Sequence, residues 1–105
     1  MVIISKRTLT EYVKEHPLAV ESINRWYETV RKANWNSFAA VKSDFNSVDA
    51  VGNDRYVFNL KGNEYRLIVL MLLSTRTVFI LWFGSHKEYD NLNKTVGAKN
   101  VQHKK

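Results

Sequence analysis

The sequence of 105 residues contains no cysteine. This absence excludes disulfide bonds and thiolate metal sites, and it fits a reducing compartment. The longest apolar run, 67–73, is far below the ~20 residues that a membrane helix requires. The apolar run at the N-terminus, 2–4, is too short for a signal peptide. We therefore expect a cytoplasmic protein with no membrane contact.

The chain also lacks internal repeats, a Gly- or Ser-rich linker and a second hydrophobic unit. Its apolar fraction of 45% is sufficient for a compact core. We expect a single domain over residues 1–93. The remaining segment, 94–105, holds four lysines and no acidic residue, and it is predicted to be a flexible basic tail.

Acidic side chains are in the minority, with a net charge of +6 and a pI near 9.7. Such a balance favours polyanionic partners. Outside the basic tail the excess is small: residues 1–46 hold seven basic and five acidic side chains, and residues 47–93 hold five of each. Net charge therefore indicates a class of partner without locating a site.

Several catalytic patterns are missing as well. There is no Gly-rich phosphate loop and no Ser/His/Asp set, and the aspartates are too few and too scattered for a two-metal nuclease. We expect neither a metal ion nor a cofactor.

The hydrophobic pattern has helical spacing near the N-terminus and strand-like alternation in the middle of the chain. The predicted elements are a short strand at 2–4, helices over 8–16 and 17–33, a short helix after Ser37, an extended segment at 48–51, strands beginning near Arg55, Glu64 and Thr77, and a helix after Ser85. This order predicts an α+β domain, with an antiparallel sheet, N-terminal helices packed on one face and a short C-terminal helix.

A two-residue turn at Gly62-Asn63 is predicted to join the first two central strands. Glycine at the first turn position suits a type II′ turn. Paired residue numbers then sum to 125, which places Asn59 opposite Arg66. The second hairpin is less constrained, and a symmetric closure would place Val78, Ile80 and Trp82 on the core face and Leu81 and Phe83 on the other.

This register sorts the first hairpin into two faces, because side chains alternate across a strand. The apolar face carries Tyr56, Phe58, Leu60, Tyr65, Leu67, Val69 and Met71. The opposite face, which we call the second face, carries Arg55, Asn59, Lys61, Glu64 and Arg66, with Ile68 and Leu70 further along. We expect the helices to cover only the apolar face, which leaves the second face partly open to an anionic ligand.

A capping box at 85–88 predicts that a helix starts just after the last strand. His86 is then the first helical residue, and Tyr89 and Asp90 lie on its side of the helix. Histidine can give or take a proton near neutral pH. The simpler interpretation is a helix-start residue that bonds only to solvent. Similarly, Arg66 and Lys61 could be ordinary exposed strand charges.

Together these residues match the requirements of RNA cleavage. RNA carries its own nucleophile, the 2′-hydroxyl, so an enzyme needs only a base, an acid and cations at the transition-state phosphate. Arg66 can hold a phosphate with two hydrogen bonds, Lys61 adds a charge, and His86 or Tyr89 can move a proton. Which of the two is the base stays open at this point. His16, His103 and the three tryptophans, Trp26, Trp35 and Trp82, are predicted to be incidental or to serve packing.

Several segments resemble the HigB toxins of the RelE-like superfamily of type II toxin–antitoxin systems. They are WNS at 35–37, DAVG at 49–52, RYVFNLKGNEYRL at 55–67 and GSHKEYD at 84–90. The resemblance extends over nearly the whole chain to about Asn93. It implies a RelE-like fold and a ribosome-dependent mRNA endoribonuclease that inhibits translation. It also implies a HigA-like helix-turn-helix antitoxin, and contact with operator DNA only through the complex with that antitoxin.

By position, the resemblance implies the catalytic residues Arg66, His86 and Tyr89. The residues predicted to bind RNA are Lys61, Asn59, Arg55, Lys87 and Asp90, of which the resemblance itself implies Asp90. The chain departs from related toxins where it has Val57 and Asn59 instead of lysines, and Leu81 instead of an arginine. Two other functions are compatible with the sequence: a non-catalytic RNA- or ribosome-binding module, and a domain that only binds an antitoxin.

Overall fold

A computed structural model describes residues 1–4 and 6–102. The helices are α1 (Lys6–Glu15), α2 (Val20–Lys32), α3 (Phe38–Asp44) and α4 (His86–Thr95), with 3₁₀ turns at Pro17–Ala19 and Ala98–Asn100. The strands are β1 (Val2–Ile4), β2 (Val48–Gly52), β3 (Arg55–Leu60), β4 (Tyr65–Leu72) and β5 (Thr77–Ser85). None of the helices in this described part combines the length and the apolar character needed to span a bilayer.

The five strands form one sheet in the order β1-β5-β4-β3-β2. The pairs from β2 to β5 are antiparallel, and β1 lies parallel to β5 at one edge. The predicted α+β class is confirmed. Helix α1 begins at Lys6, two residues before the predicted helix start at residue 8.

The hairpin between β3 and β4 has the predicted register, with Asn59 opposite Arg66 and Phe58 opposite Leu67. The turn type differs from the prediction. Both central residues have positive φ, +57° at Gly62 and +84° at Asn63, and the Glu64 amide donates to the Lys61 carbonyl over 3.2 Å. Positive φ at both positions defines a type I′ turn, whose twist matches that of the two strands.

The main core lies between the helices and the apolar face of the sheet. The predicted apolar residues of the first hairpin all contribute to it, five of them buried and Tyr56 and Tyr65 partly buried. Helix α2 supplies Ile23, Trp26 and Val30, and the Trp26 ring packs edge-on against Phe58 at 5.5 Å.

In the second hairpin, some residues of β5 point to the other side of the sheet from the one that a symmetric closure predicts. The pairing of β4 with β5 shifts between Ile68 and Val69, where β5 carries the additional residue Leu81. Such a β-bulge lets two successive residues point to the same side of the sheet. Trp82 therefore joins Leu81 on the second face, and Phe83 packs in the main core. The expectations for Trp82 and Phe83 were wrong for this reason.

The second face of the sheet is covered along much of its length. Val57, Ile68 and Leu81 are buried there against Ala98 and Val101. Residues 98–101, which lie within the predicted basic tail, thus pack against the sheet through Ala98 and Val101. These two apolar side chains bury the apolar end of the second face. Residues 103–105, which include His103, lie outside the described residues.

Candidate active site

The Arg66 side chain lies at the polar end of the second face, next to the β3–β4 turn. Its Cα pairs with Asn59 on one side and Gly84 on the other. Only 8% of the residue is exposed, which excludes the interpretation of an ordinary exposed strand charge. Its Nη1 donates to the carbonyls of Asn63 at 2.9 Å and Tyr65 at 3.3 Å.

Within residues 1–4 and 6–102, Arg66 makes no ion pair with a carboxylate. Its Nε and Nη2 atoms likewise have no hydrogen-bond acceptor in this part of the chain. A buried guanidinium without an opposite charge is unfavourable for folding. Arg66 therefore keeps a positive charge and two unused N–H donors, and both can donate to phosphate oxygens.

Two further predicted residues lie beside Arg66. Asn59, on the neighbouring strand, has a buried Oδ1 atom that accepts no hydrogen bond from the described residues. Lys61 is exposed at the turn, with its Nζ 3.5 Å from Glu64 Oε2. Because the Lys61–Glu64 pair is solvated and loose, it leaves the ammonium free to exchange partners.

Arg55 is not part of this group. It lies four residues before Asn59 on β3, a separation of ~13 Å at the rise of an extended strand. Its Nε and Nη2 donate to the Val101 carbonyl at 3.2 and 3.0 Å, and its Nη1 donates to the Asn53 carbonyl at 2.9 Å. These bonds hold the C-terminal segment on the sheet.

Helix α4 starts directly at the end of β5, as the sequence predicts. The Ser85 hydroxyl accepts from the Glu88 amide at 3.2 Å, and Glu88 Oε1 accepts from the Ser85 amide at 2.8 Å. The His86 amide also donates to the Glu64 carbonyl at 2.9 Å. The first turn of α4 is thus fixed to the same hairpin turn that flanks Arg66.

His86 and Asp90 form a pair on the exposed side of α4. Nδ1 of His86 lies 3.0 Å from Asp90 Oδ2, and the two side chains are 48% and 52% exposed. A carboxylate at Nδ1 orients the imidazole and leaves Nε2 for proton transfer. Lys87, the next residue, is also exposed.

Tyr89 connects the helix to the buried arginine. Its ring centroid is 5.6 Å from Arg66 Cζ and 6.3 Å from the centroid of the Trp82 ring. The structure thus brings Arg66 and Tyr89 into contact, and it places His86 one helical turn from Tyr89. Trp82 is the member of this group that the sequence did not predict, since only the β-bulge turns it to this face.

His16, which was predicted from the sequence to be incidental, packs next to the start of α4. Its ring packs edge-on against Phe83 at 5.4 Å and Tyr65 at 5.7 Å, and its Nε2 lies 3.8 Å from Glu88 Oε1. Glu88 is the residue that closes the capping box of α4. His16 therefore supports the helix that carries His86. The sequence has no signal for this contact, because the two residues are 72 positions apart.

Tyr12 contributes to the same support from helix α1. Its ring stacks on Phe83 at 5.6 Å, and its hydroxyl donates to the Leu81 carbonyl at 3.5 Å. Burial, followed by the nearby charges of Glu15 and Glu11, raises the pKa of Tyr12 to about 12. The phenol thus stays protonated and packed across the neutral range.

Two cavities beside α2 are lined by residues other than the predicted catalytic ones. A cavity of about 310 Å³ lies between α1 and α2, and another of about 240 Å³ lies between α2 and the end of β3. Of the predicted site residues, Asn59 and Lys61 line the second cavity. Arg66, His86 and Tyr89 line neither of these two cavities, and the exposed side of their group is formed by His86 and Asp90.

The comparison with known families matches residues 19–92 to the HigB toxin, described as the RelE-like toxic component of a toxin–antitoxin system. This match includes the β3–β4 hairpin and most of α4.

Similar curated proteins include the "mRNA interferase toxin HigB" of Escherichia coli K12, which is 26% identical over 104 residues, covering 94% of this chain and all of the relative. The "mRNA interferase HigB" of Shigella flexneri has the same identity and coverage. The protein of the same name from Escherichia coli O6:H1 is 24% identical over 96 residues, covering 90% of this chain and 93% of the relative.

Proposed function

Because the chain belongs to the HigB family, the RelE-like toxic component of toxin–antitoxin systems, we propose that it cleaves mRNA on the ribosome without a metal ion. It is an endoribonuclease toxin whose reaction is the attack of a ribose 2′-hydroxyl on the adjacent phosphate. The observation that carries this proposal is the buried Arg66 guanidinium, held without a carboxylate next to Tyr89.

Arg66 binds the scissile phosphate and stabilises the charge that accumulates on it. The guanidinium is already desolvated, so little reorganisation is needed when the phosphate gains negative charge. Its unused Nε and Nη2 donors match the oxygens of a phosphate. Lys61 and Lys87 contribute exposed positive charges to the RNA backbone, and Asn59 adds a buried polar group beside Arg66.

His86 and Tyr89 are the proton-transfer pair. One group removes the proton of the 2′-hydroxyl as the new bond to phosphorus forms, and the other protonates the departing 5′-oxygen. Asp90 positions the imidazole through Nδ1. The two roles are distinguished by the pH dependence of each single variant, since loss of the base and loss of the acid remove opposite limbs of the profile.

The same exposed surface is proposed to meet the chain's partners. Ribosome-bound mRNA is the substrate, and a HigA-like helix-turn-helix antitoxin neutralises the toxin and carries the complex to operator DNA. The net charge of +6 supports a polyanionic target.

The test is cleavage of a defined mRNA on purified ribosomes, together with a matched mRNA whose 2′-hydroxyl at the cleavage site is methylated and which we expect to stay intact. We expect His86→Ala and Arg66→Ala each to slow cleavage by about 10²–10⁴-fold. Lys32→Ala is the matched control, because it removes a positive charge from the exposed side of α2. We expect it to cleave at the wild-type rate.

Two results would contradict the proposal. If the wild-type protein cut the 2′-methylated mRNA at that site, attack by the 2′-hydroxyl would be wrong. If the wild-type protein bound ribosomes but left the mRNA intact, the chain would be a binding module without catalysis. Circular dichroism of each variant confirms that a lost activity is not a lost fold.

A further inference from the structure

Trp82 lies in β5 next to the β-bulge, which turns its side chain to the second face. It pairs with Ile68 just before the register shift, and it lies on the second face together with Arg66. Its ring therefore borders the group of Arg66 and Tyr89 and is separated from the helix-side core.

The glycine two residues later accommodates the indole. A Cβ atom at Gly84 would lie 2.6 Å from Cη2 and 2.8 Å from Cζ2 of Trp82, closer than side-chain carbons approach each other. The far edge of the indole thus lies directly over Gly84, which is itself paired with Arg66. The Trp82 ring reaches along the strand toward the phosphate-binding guanidinium.

Trp82 differs in exposure from the other two tryptophans. Trp26 and Trp35 are 1% and 3% exposed, whereas Trp82 is only partly buried. Its indole N–H makes no hydrogen bond within the described part of the chain, whereas Trp35 donates to Asp44 at 2.8 Å. A partly exposed aromatic ring beside a phosphate site is the arrangement that proteins use to stack a single-stranded base.

We propose that Trp82 is a stacking platform for one nucleobase of the RNA, next to the phosphate held by Arg66. The inference rests on the proposed RNA cleavage and adds a contact that selects an unstacked, single-stranded nucleotide. Stacking tolerates any base, so Trp82 adds affinity while giving only a modest preference among bases.

Binding is measured with a short single-stranded RNA whose 2′-hydroxyls are methylated, so that it cannot be cleaved. Fluorescence quenching reports Trp82, because the other two tryptophans are buried. We expect Trp82→Leu to weaken binding by roughly 10-fold or more, and Trp82→Phe to retain most of the affinity, as loss and retention of one stacked base predict. The affinity of the variants that lack Trp82 is measured by anisotropy of labelled RNA.

Phe79→Leu is the matched control, since it also replaces a partly buried ring of β5 by leucine, seven residues before His86. We expect it to bind like the wild type.

A merely structural role of Trp82 is tested with RNAs that lack one base at successive positions. Stacking predicts one position at which base removal weakens the wild type but not Trp82→Leu.

Equal affinity of Trp82→Leu and wild type would overturn the proposal, as would an equal response of both proteins at every abasic position. If Trp82→Leu failed to fold, Trp82→Phe and the abasic series on the wild type would decide. If the wild type cleaved mRNA and Trp82→Leu had the same KM as the wild type, the stacking role of Trp82 would be refuted while the proposed cleavage would stand. Base-dependent quenching without cleavage would refute the proposed catalysis alone.

Discussion

At the scale of single residues, the two arginines of the second face differ in how many of their guanidinium donors are hydrogen-bonded. Arg55 uses all its guanidinium nitrogens to hold backbone carbonyls. Arg66 uses one, and it has no carboxylate partner in the part of the chain that the structure describes. A residue kept under such conditions points to binding more than to stability.

We therefore predict that Arg66→Met abolishes cleavage without lowering stability. Replacing a buried, unpaired charge by an apolar side chain of similar length leaves the free energy of unfolding unchanged or raises it by up to about 2 kcal/mol. Urea denaturation measures this change. A loss of more than about 2 kcal/mol would indicate that the bonds to the Asn63 and Tyr65 carbonyls outweigh the unpaired charge.

At the scale of the elements, α4 owes its position to contacts from three directions. Its capping box fixes its first turn, the His86 amide bonds to the hairpin turn, and His16 approaches Glu88 from the helix layer. Tyr12 packs the same part of β5 from α1. The proposed catalytic groups are thus positioned on regular elements with supported side chains.

Tyr12 gives this support a pH dependence that can be measured. The pKa of Tyr12 is about 12 in the folded protein against 10.0 for the free side chain. The folded state therefore holds the phenolic proton more tightly, and the stability that this contributes is complete below pH 10 and is lost as the pH rises through 12.

We predict that the wild type loses about 1 kcal/mol more stability than Tyr12→Phe between about pH 9 and 11.5, after allowance for partial solvation of the hydroxyl. Urea unfolding of both proteins at the two pH values gives the difference, in which other titrating groups cancel. Parallel pH curves for the two proteins would show that Tyr12 ionises without affecting the fold.

At the scale of the whole molecule, the sheet is covered on both faces, but by different means. Helices α1–α3 cover one face, and residues 98–101 cover the apolar end of the other. At the polar end, Tyr89 of α4 packs against Arg66, and His86 and Asp90 beside it are about half exposed. The C-terminal segment thereby limits the open surface to the region of the proposed active site.

We predict that Arg55→Met lowers the free energy of unfolding by about 1–3 kcal/mol, because the Val101 carbonyl loses a charged donor. Hydrogen exchange at Ala98 and Val101 should accelerate, since these residues depend on that bond for their place on the sheet. Arg66→Met serves as the comparison, with the same chemical change and the opposite expected sign. An unaffected Arg55→Met would mean that apolar burial alone holds the segment.

Much of the site followed from local rules. A two-residue turn with glycine determines a hairpin register, so the pairing of Asn59 with Arg66 was predictable. The capping box at Ser85 determines where a helix begins. The grouping of His86, Tyr89 and Asp90 on one side of α4 was therefore predictable from the sequence. The turn type was wrong because both I′ and II′ geometries accept glycine at the first position.

By itself, then, the sequence determined the hairpin, the helix start and the residue types that meet there, since each depends on neighbours within a few positions. Tertiary structure alone decided the β-bulge that turns Trp82 outward, the packing of His16 on Glu88 and the coverage of the second face. These features arise from contacts between distant segments competing for the same apolar surface, and no local pattern records the outcome of that competition.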